Sequence, residues 1–354
     1  MTLQSSGPIS MGDVNVQLGY SGTQLLTLND TPARTLAGVP SGVISMSDFY
    51  GKPSVLSNVW ELKAPKFGSE SYISSLAVFN NKLYASTKSF SAGTVGGRLL
   101  EWNGTNAWVE KAPPLSTEYG VNCLAVFNSK LYGGTSPNGK LYEWNGTNAW
   151  VSKAPLLGTE TSIMSLGVLG TTLYGGGSPG GRLYGWNGST AWVVKSTQIV
   201  GEAANRMAIF NSKIYGGSPG GQLSESPGTV IDWVIKAPAL TSYSAYPSIM
   251  CLVVFGTKLY AGTKSGGLLQ WNGTNAWAVK ATWTASYDIR GLAVFNNLLY
   301  GCTARHELLQ WDGVSSWIEI LPAGASTNIA SMIVFNSKLY AASYGNGSLY
   351  EYIP

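Results

Sequence analysis

One histidine, His306, and three cysteines, Cys123, Cys251 and Cys302, are the side chains of this sequence most readily recruited as metal ligands or nucleophiles. The cysteines stand 128 and 51 residues apart, without the close pairing of a zinc site or a disulfide framework. A His-based metal site, a Ser-His-Asp triad and a Cys-His pair would all rest on a single imidazole, so no metal or cofactor is expected. Each cysteine falls in or beside an apolar strand pattern and reads as a small buried hydrophobe. Glycoside hydrolysis asks only for two carboxylates facing one bond, and 18 acidic residues could contain such a pair. Yet Glu61, Glu101, Glu110 and Glu143 occupy repeated strand positions, which reads as surface rather than catalysis. The chain is therefore expected not to be an enzyme.

Binding chemistry is better represented. Tyrosine beside Asp, Glu or Arg suits sugar recognition, the ring stacking on C–H faces while the charges take hydroxyls. The candidates are Tyr72, Glu118, Tyr119, Glu160, Arg206, Tyr243, Tyr246, Tyr287, Asp288 and Arg290, with His306 in a neighbouring loop. The bland alternative is that these are solvated loop residues without a ligand.

The elements that must position them follow from composition and repetition. Among 354 residues, only 11% are charged while 12% are aromatic and 44 are Gly, which fits a turn-dense all-β chain rather than a disordered or helical one. A net charge of +4 without a basic run gives a nucleic-acid partner no electrostatic support. The start, MTLQSSGPISMGDVNVQ, lacks a basic and then apolar leader, and no apolar run approaches the roughly 18 residues of a membrane span. Neither export by a signal peptide nor membrane insertion is expected.

Seven copies of one pattern organise the rest: SLAVFNNKLYAST, CLAVFNSKLYGGT, SLGVLGTTLYGGG, RMAIFNSKIYGGS, CLVVFGTKLYAGT, GLAVFNNLLYGCT and SMIVFNSKLYAAS. Their spacing of 40 to 48 residues suits a four-stranded unit. In the second copy, Leu124 to Phe127 read as an innermost strand and Leu131 to Gly134 as the next, with the Gly pair admitting close backbone approach. Lys140 to Trp144 form the third strand. Asn145-Gly146 turns the chain into a fourth that begins at Ala149-Trp150. The recurring Trp108, Trp150, Trp192, Trp233, Trp277 and Trp317 are too regular for separate ligand contacts and should pack unit on unit. Lys111, Lys153, Lys195, Lys236 and Lys280, three residues later, should face water and protect an outer edge. Sequon-like asparagines at Asn103, Asn145, Asn187, Asn272 and Asn346 are explained by turn chemistry. The last copy lacks a fourth strand, and Asn58 to Pro65 matches that strand ahead of the first copy. A ring closed by this borrowed strand is expected: an all-β, seven-bladed β-propeller over residues 58–354.

Residues 58–354 resemble kelch-like propellers, which likewise carry a Gly pair, an aromatic in the third strand and a Trp in the fourth. Sialidase-type propellers place Ser/Thr-x-Asp-x-Gly-x-x-Trp at the hairpin between the third and fourth strands. This sequence has Asn-Gly-Thr-Asn-Ala-Trp there, and Trp311-Asp312-Gly313 has the wrong spacing, so sialidase chemistry is not implied.

Residues 1–57 form a different object, with a duplication in Gly7-Pro8-Ile9-Ser10-Met11-Gly12-Asp13 and Gly42-Val43-Ile44-Ser45-Met46-Ser47-Asp48. The stretch from Leu36 to Lys52, LAGVPSGVISMSDFYGK, resembles a motif of virion structural and tail proteins of tailed bacteriophages. That resemblance implies a virion attachment module, with Ile44, Met46, Asp48, Phe49 and Tyr50 as candidate contacts to other tail or baseplate proteins. It also implies location in the virion tail and a homotrimer, although no heptad is present to drive one. The expected function is a tail-fibre or baseplate protein whose propeller binds a host-surface glycan or receptor without catalysis. The alternatives are a structural spacer that touches only virion proteins and a glycan depolymerase.

Overall fold

The computed structural model describes residues 8–17, 27–39, 41–50, 58–89, 96–154, 158–189, 191–196, 206–226, 233–240, 248–283, 285, 287–322 and 328–354. The chain divides into two compact units, Leu62–Glu351 and Met1–Glu61 with Tyr352–Pro354.

Among the described residues the strands form seven four-stranded sheets. The innermost strands are Ile73–Phe79, Gly120–Phe127, Ser162–Leu169, Arg206–Phe210, Ile249–Phe255, Ile289–Phe295 and Asn328–Phe335. Each lies beside the next, and the last lies beside the first, so the sheets are the blades of a seven-bladed β-propeller. In the seventh sheet Val59–Ala64 pairs outside Leu349–Ile353, which is the expected closure. The Tyr352 hydroxyl donates to Asn58 Oδ1 at 2.6 Å beside this seam.

Local sequence explains the hairpins, though not quite as expected. The tight turn joins the first and second strands: Asn128 and Ser129 both have positive φ, 46° and 57°, as a two-residue hairpin requires. The Asn-Gly turn before the outer strand works differently. Only Gly146 is left-handed, with φ 84°, while Asn145 Oδ1 accepts the backbone N–H groups of Thr147, Asn148 and Ala149 at 2.9, 2.9 and 3.1 Å. Asp312 takes the same role in the sixth blade.

Packing between blades uses one repeated interlock. Trp144 of the second blade lies 5.3 Å from the Tyr84 ring and 6.3 Å, edge-on, from Phe79 of the first. Trp102, Trp186, Trp271 and Trp311 meet the corresponding Phe–Tyr pair of their preceding blades. The outer-strand tryptophans have a second role. Trp150 lies over Gly133 and donates Nε1 to Gly97 O of the preceding blade at 2.8 Å. The Gly pair thus admits side chains rather than the backbones expected: a Cβ on Gly133 would stand 3.1 Å from Trp150, and one on Gly134 would stand 2.5 Å from Ile163 of the next blade.

The lysines after these tryptophans are half-buried, and of the four acids expected at the surface Glu61 is exposed and Glu110 half-buried, whereas Glu101 and Glu143 are buried. Glu143 is 7% exposed and binds three partners: Tyr132 Oη at 2.7 Å, Lys130 Nζ at 2.9 Å and Lys153 Nζ at 3.4 Å. Equivalent clusters gather on Glu101, Glu225 and Glu351, the last receiving Lys63 from the closing strand at 3.4 Å. In the sixth blade the acid position is Gln310 and the lysine positions hold Leu298 and Ile320, whereas the fifth blade has Gln270 and keeps Lys258 and Lys280.

The N-terminal unit has its own small core of Val14, Ala33, Leu36, Ala37 and Phe49, against which Ile9, Met11, Ile44 and Met46 pack. The duplicated motif is a pair of helix caps. Ser10 N–H donates to Asp13 Oδ2 and Ser45 N–H to Asp48 Oδ2, both at 2.8 Å. Met11–Gln17 and the short 3-10 turn Met46–Phe49 follow these caps. Of the candidate attachment residues, Phe49 is fully buried, Asp48 serves the cap, and Ile44 and Met46 pack on the core. Only Phe49 is removed from the surface, which corrects its expected role as a direct contact; Ile44, Met46 and Asp48 are half-buried. Tyr50 is 39% exposed.

Burial alone would raise the Glu143 carboxyl, but the hydrogen bonds from Lys130 and Tyr132 and the charge of Lys153 hold it below its ordinary value of 4.5. Its contribution to stability is therefore present above pH 4.5 and lost as pH falls through the lower folded value. Glu143→Ala is expected to cost about 2 kcal/mol at pH 7, less than a fully buried pair because both lysine ends reach water. Urea unfolding at pH 7 and pH 3 should show the difference from the native chain shrinking in acid.

Candidate ligand-binding site

Alternation along six of the seven innermost strands is broken once, near the start, while Arg206–Phe210 pairs without a break. The pairing with the second strand skips Ser74, Asn122, Met164, Met250, Arg290 and Ala330, each an extra residue without a ladder partner. Such a bulge re-aims its side chain. All six line one cavity of about 510 Å³ bounded by residues from all seven innermost strands, an axial site. The carbonyls beside the bulges are taken by the preceding blade: Ile163 O accepts Asn122 Nδ2 at 3.0 Å, Ile289 O accepts the Cys251 thiol at 3.4 Å, and Val121 O accepts the Ser74 hydroxyl.

Three cations line this cavity, Lys88, Arg206 and Arg290, together with Tyr72. Lys88 follows the second strand of the first blade and bridges to Gly120, and its Nζ donates to Asn122 Oδ1 at 2.9 Å. Arg206 opens its strand and donates Nε to Met250 O. Arg290 sits on the sixth-blade bulge, 5.2 Å over the Tyr344 ring, with Nη2 3.6 Å from Asp288 Oδ2. Tyr72 packs edge-on against Tyr344 at 4.5 Å. Burial, and then the charge of Arg206, pulls the Lys88 ammonium below its ordinary pKa. Burial also lowers Arg206, and it raises the Tyr72 phenol against the opposing pull of Arg290 and Arg206.

The structure thus brings Tyr72, Arg206 and Arg290 together, with Asp288 at their edge. It does not bring the other candidates into the cavity. Glu118 and Glu160, 1% and 0% exposed, are internal loop braces rather than ligand contacts. Glu118 accepts from Asn138 and pairs with Lys140 at 3.6 Å, and Glu160 accepts the N–H of Gly180 at 2.6 Å. A Cβ on Gly177 or Gly180 would collide with Glu160, so those glycines make room for the buried acid. Tyr119 is 44% exposed, and its backbone ties Ser136 to Ser89. Tyr287 lies under the Arg305 guanidinium at 4.5 Å. His306 adopts a left-handed φ of 72° with its ring 4.9 Å from Tyr350. Tyr243 and Tyr246 lie outside the described residues.

Lys88 and the bulge residues other than Arg290 are additions to the expected site. Their signal is present as a column: ISSL, VNCL, IMSL, IMCL, IRGL and IASM each hold a β-branched residue, a variable one, then a small one. The variable column faces the axis.

Cys123 and Cys251 also line the cavity, and burial pushes both thiols up to about 12. Among the described residues no group of three or more His, Cys, Asp or Glu is placed to hold a metal ion.

No family model and no curated protein matches the chain. Solved structures do. YCF48 from Cyanidioschyzon merolae is 14% identical with a TM-score of 0.60, over 82% of this chain and 98% of its own. The WD40 β-propeller domain of Doa1 is 13% identical with a TM-score of 0.59, over 82% and 96%. A computationally designed protein, Ika8, is 12% identical with a TM-score of 0.56, over 83% and 100%. These likenesses establish the propeller fold alone.

Burial lowers the His306 imidazole to about 4. A proton NMR titration of this lone histidine should show its midpoint near pH 4, with no change in ring shifts between pH 6 and 8. A midpoint near 6.5 would place the ring in water instead.

Proposed function

We propose that the chain is a tail-fibre or baseplate protein of a tailed bacteriophage, held to other virion proteins through residues 1–57, whose propeller binds a host-surface glycan without cleaving it. The observation that carries the binding part is the axial cavity. Its volume of about 510 Å³ falls within the range of about 300 to 1,000 Å³ usual for small-ligand sites. Its lining mixes serine hydroxyls, an asparagine amide, a tyrosine, cations and Leu and Met side chains, the mixture that a sugar's hydroxyls and C–H faces call for.

A non-catalytic role is supported by how the acids are used. Glu101, Glu143, Glu225 and Glu351 are each held by Tyr and Lys within a blade, and Glu118 and Glu160 brace loops. No acidic residue is among the described residues lining the cavity. A glycosidase would need two there. The virion part is supported by the phage-like resemblance of residues 36–52, within which Ser45 and Asp48 form a cap and Leu36, Ala37 and Phe49 belong to a small core.

The full chain, applied to an array of bacterial surface polysaccharides, is expected to retain a small set of glycans and to release no reducing ends from them. Immunogold labelling of particles from a genome encoding the chain should mark the tail. Retention of no glycan, with labelling still on the tail, would instead make the protein a spacer between virion components.

A further inference from the structure

We propose that the crevices where one blade meets the next are repeated saccharide sites, each taking adjacent hydroxyls of a sugar, so that the propeller grips a bacterial polysaccharide at several points. This rests on the glycan-binding reading above and extends recognition beyond the axial cavity.

Repetition carries the argument. Cavities of about 480, 530 and 410 Å³ open between the first and second, the fourth and fifth, and the seventh and first blades. Each volume suits a small ligand. None of the three shares a lining residue with the axial cavity. They lie at the opposite end of the innermost strands, beside Phe79, Phe210 and Phe335, where those strands finish. The lining recurs. In each crevice the preceding blade supplies its Phe, its Tyr and its second-strand lysine, and the following blade supplies a second lysine, the third-strand Trp and the Asn-Gly turn. At least one glutamate lines every crevice.

This set of groups matches a polyol. Between the fourth and fifth blades, Glu225 accepts from Tyr215 Oη at 2.8 Å and Lys213 Nζ at 2.9 Å, with Lys236 Nζ at 3.7 Å. A carboxylate has about four acceptor sites and an ammonium three donors, so both keep capacity for a ligand. One sugar hydroxyl donates to the acid while its neighbour accepts from a lysine. Trp271 and Phe210 add apolar wall for the C–H groups of the ring. An apolar ligand would leave the charged groups unmatched.

Lys258 is the lysine that ion pairing does not account for. In the first, second, fourth and seventh blades the equivalent residue pairs with the glutamate of its own blade. In the fifth blade that position is Gln270, and Lys258 is exposed with no carboxylate in ion-pair distance among the described residues. It lines the crevice between the fourth and fifth blades, together with Thr257 and Thr274. A sugar hydroxyl gives its ammonium the acceptor that the blade lacks. The two crevices flanking the first blade both reach Lys82 and Glu101, so neighbouring sites adjoin and one polymer can span them. Linked sites bind a polymer more tightly than its single unit.

The test screens the full chain on an array of bacterial O-antigen and capsular polysaccharides, then titrates the repeating-unit oligosaccharide of each retained polymer by calorimetry. Lys258→Ser combined with Thr274→Ala is run beside it, both positions being exposed, with thermal unfolding to show that the variant folds. At least three oligosaccharides per chain are expected, one for each of these crevices, and one fewer in the variant. The intact polymer should bind at least about tenfold more tightly than its unit. A stoichiometry of one, or one that the double substitution leaves unchanged, would overturn the crevice sites while leaving glycan binding at the axis intact. An empty array would overturn both readings.

Discussion

A closed ring of sheets holds together only if every blade offers its neighbour a surface that fits, and here that surface is the interlock of Trp, Phe and Tyr. A third-strand tryptophan enters between the Phe and Tyr of the blade before it, at ring separations of 5.1 to 6.5 Å. Burying such rings supplies much of the apolar stabilisation available to thin four-stranded units that could not fold separately. The same contact sets blade spacing, so it also fixes the width of the axial cavity. Chemistry at the axis is positioned by packing far from it.

The polar clusters on the blades follow the same logic. A tyrosine whose ring serves the interlock ends in a hydroxyl that must find an acceptor when buried. In the first, second, fourth and seventh blades the acceptor is a glutamate, and the lysines from the second and outer strands neutralise it. In the third blade the acid position is Gly185, and the Lys195 stem lies where a side chain would otherwise stand. Where a glutamate is present it ties the tyrosine and both lysines together, which makes these glutamates structural parts of the scaffold.

Much of this was legible in the sequence. The repeat length, the strand order within a blade and the closing strand at Asn58 to Pro65 all follow from pattern, because strand periodicity and turn residues are local signals. What stayed hidden depends on register. Whether Glu143 meets Lys153 is decided by which residues face each other across two strands, and alternation within one strand carries no such information. That is why the lysines read as wet and the glutamates as surface. The site was partly legible for a related reason: Tyr72, Arg206 and Arg290 stand at visible repeat boundaries, whereas Lys88 belongs to a different strand end and reaches the axis only through the ring. Glu118 and Glu160 misled because a charged loop residue normally faces water, and only the cramped Gly177 and Gly180 beside Glu160 hint that it turns inward.

The bulge at the head of six of the seven inner strands has an evolutionary consequence. A residue outside the ladder holds no cross-strand hydrogen bond of the sheet, so exchanging it leaves the pairing on either side untouched. Ser, Asn, Met, Arg and Ala already occupy this position in different blades of the same chain. The lining of the cavity can therefore drift one blade at a time while the surrounding wheel is inherited unchanged.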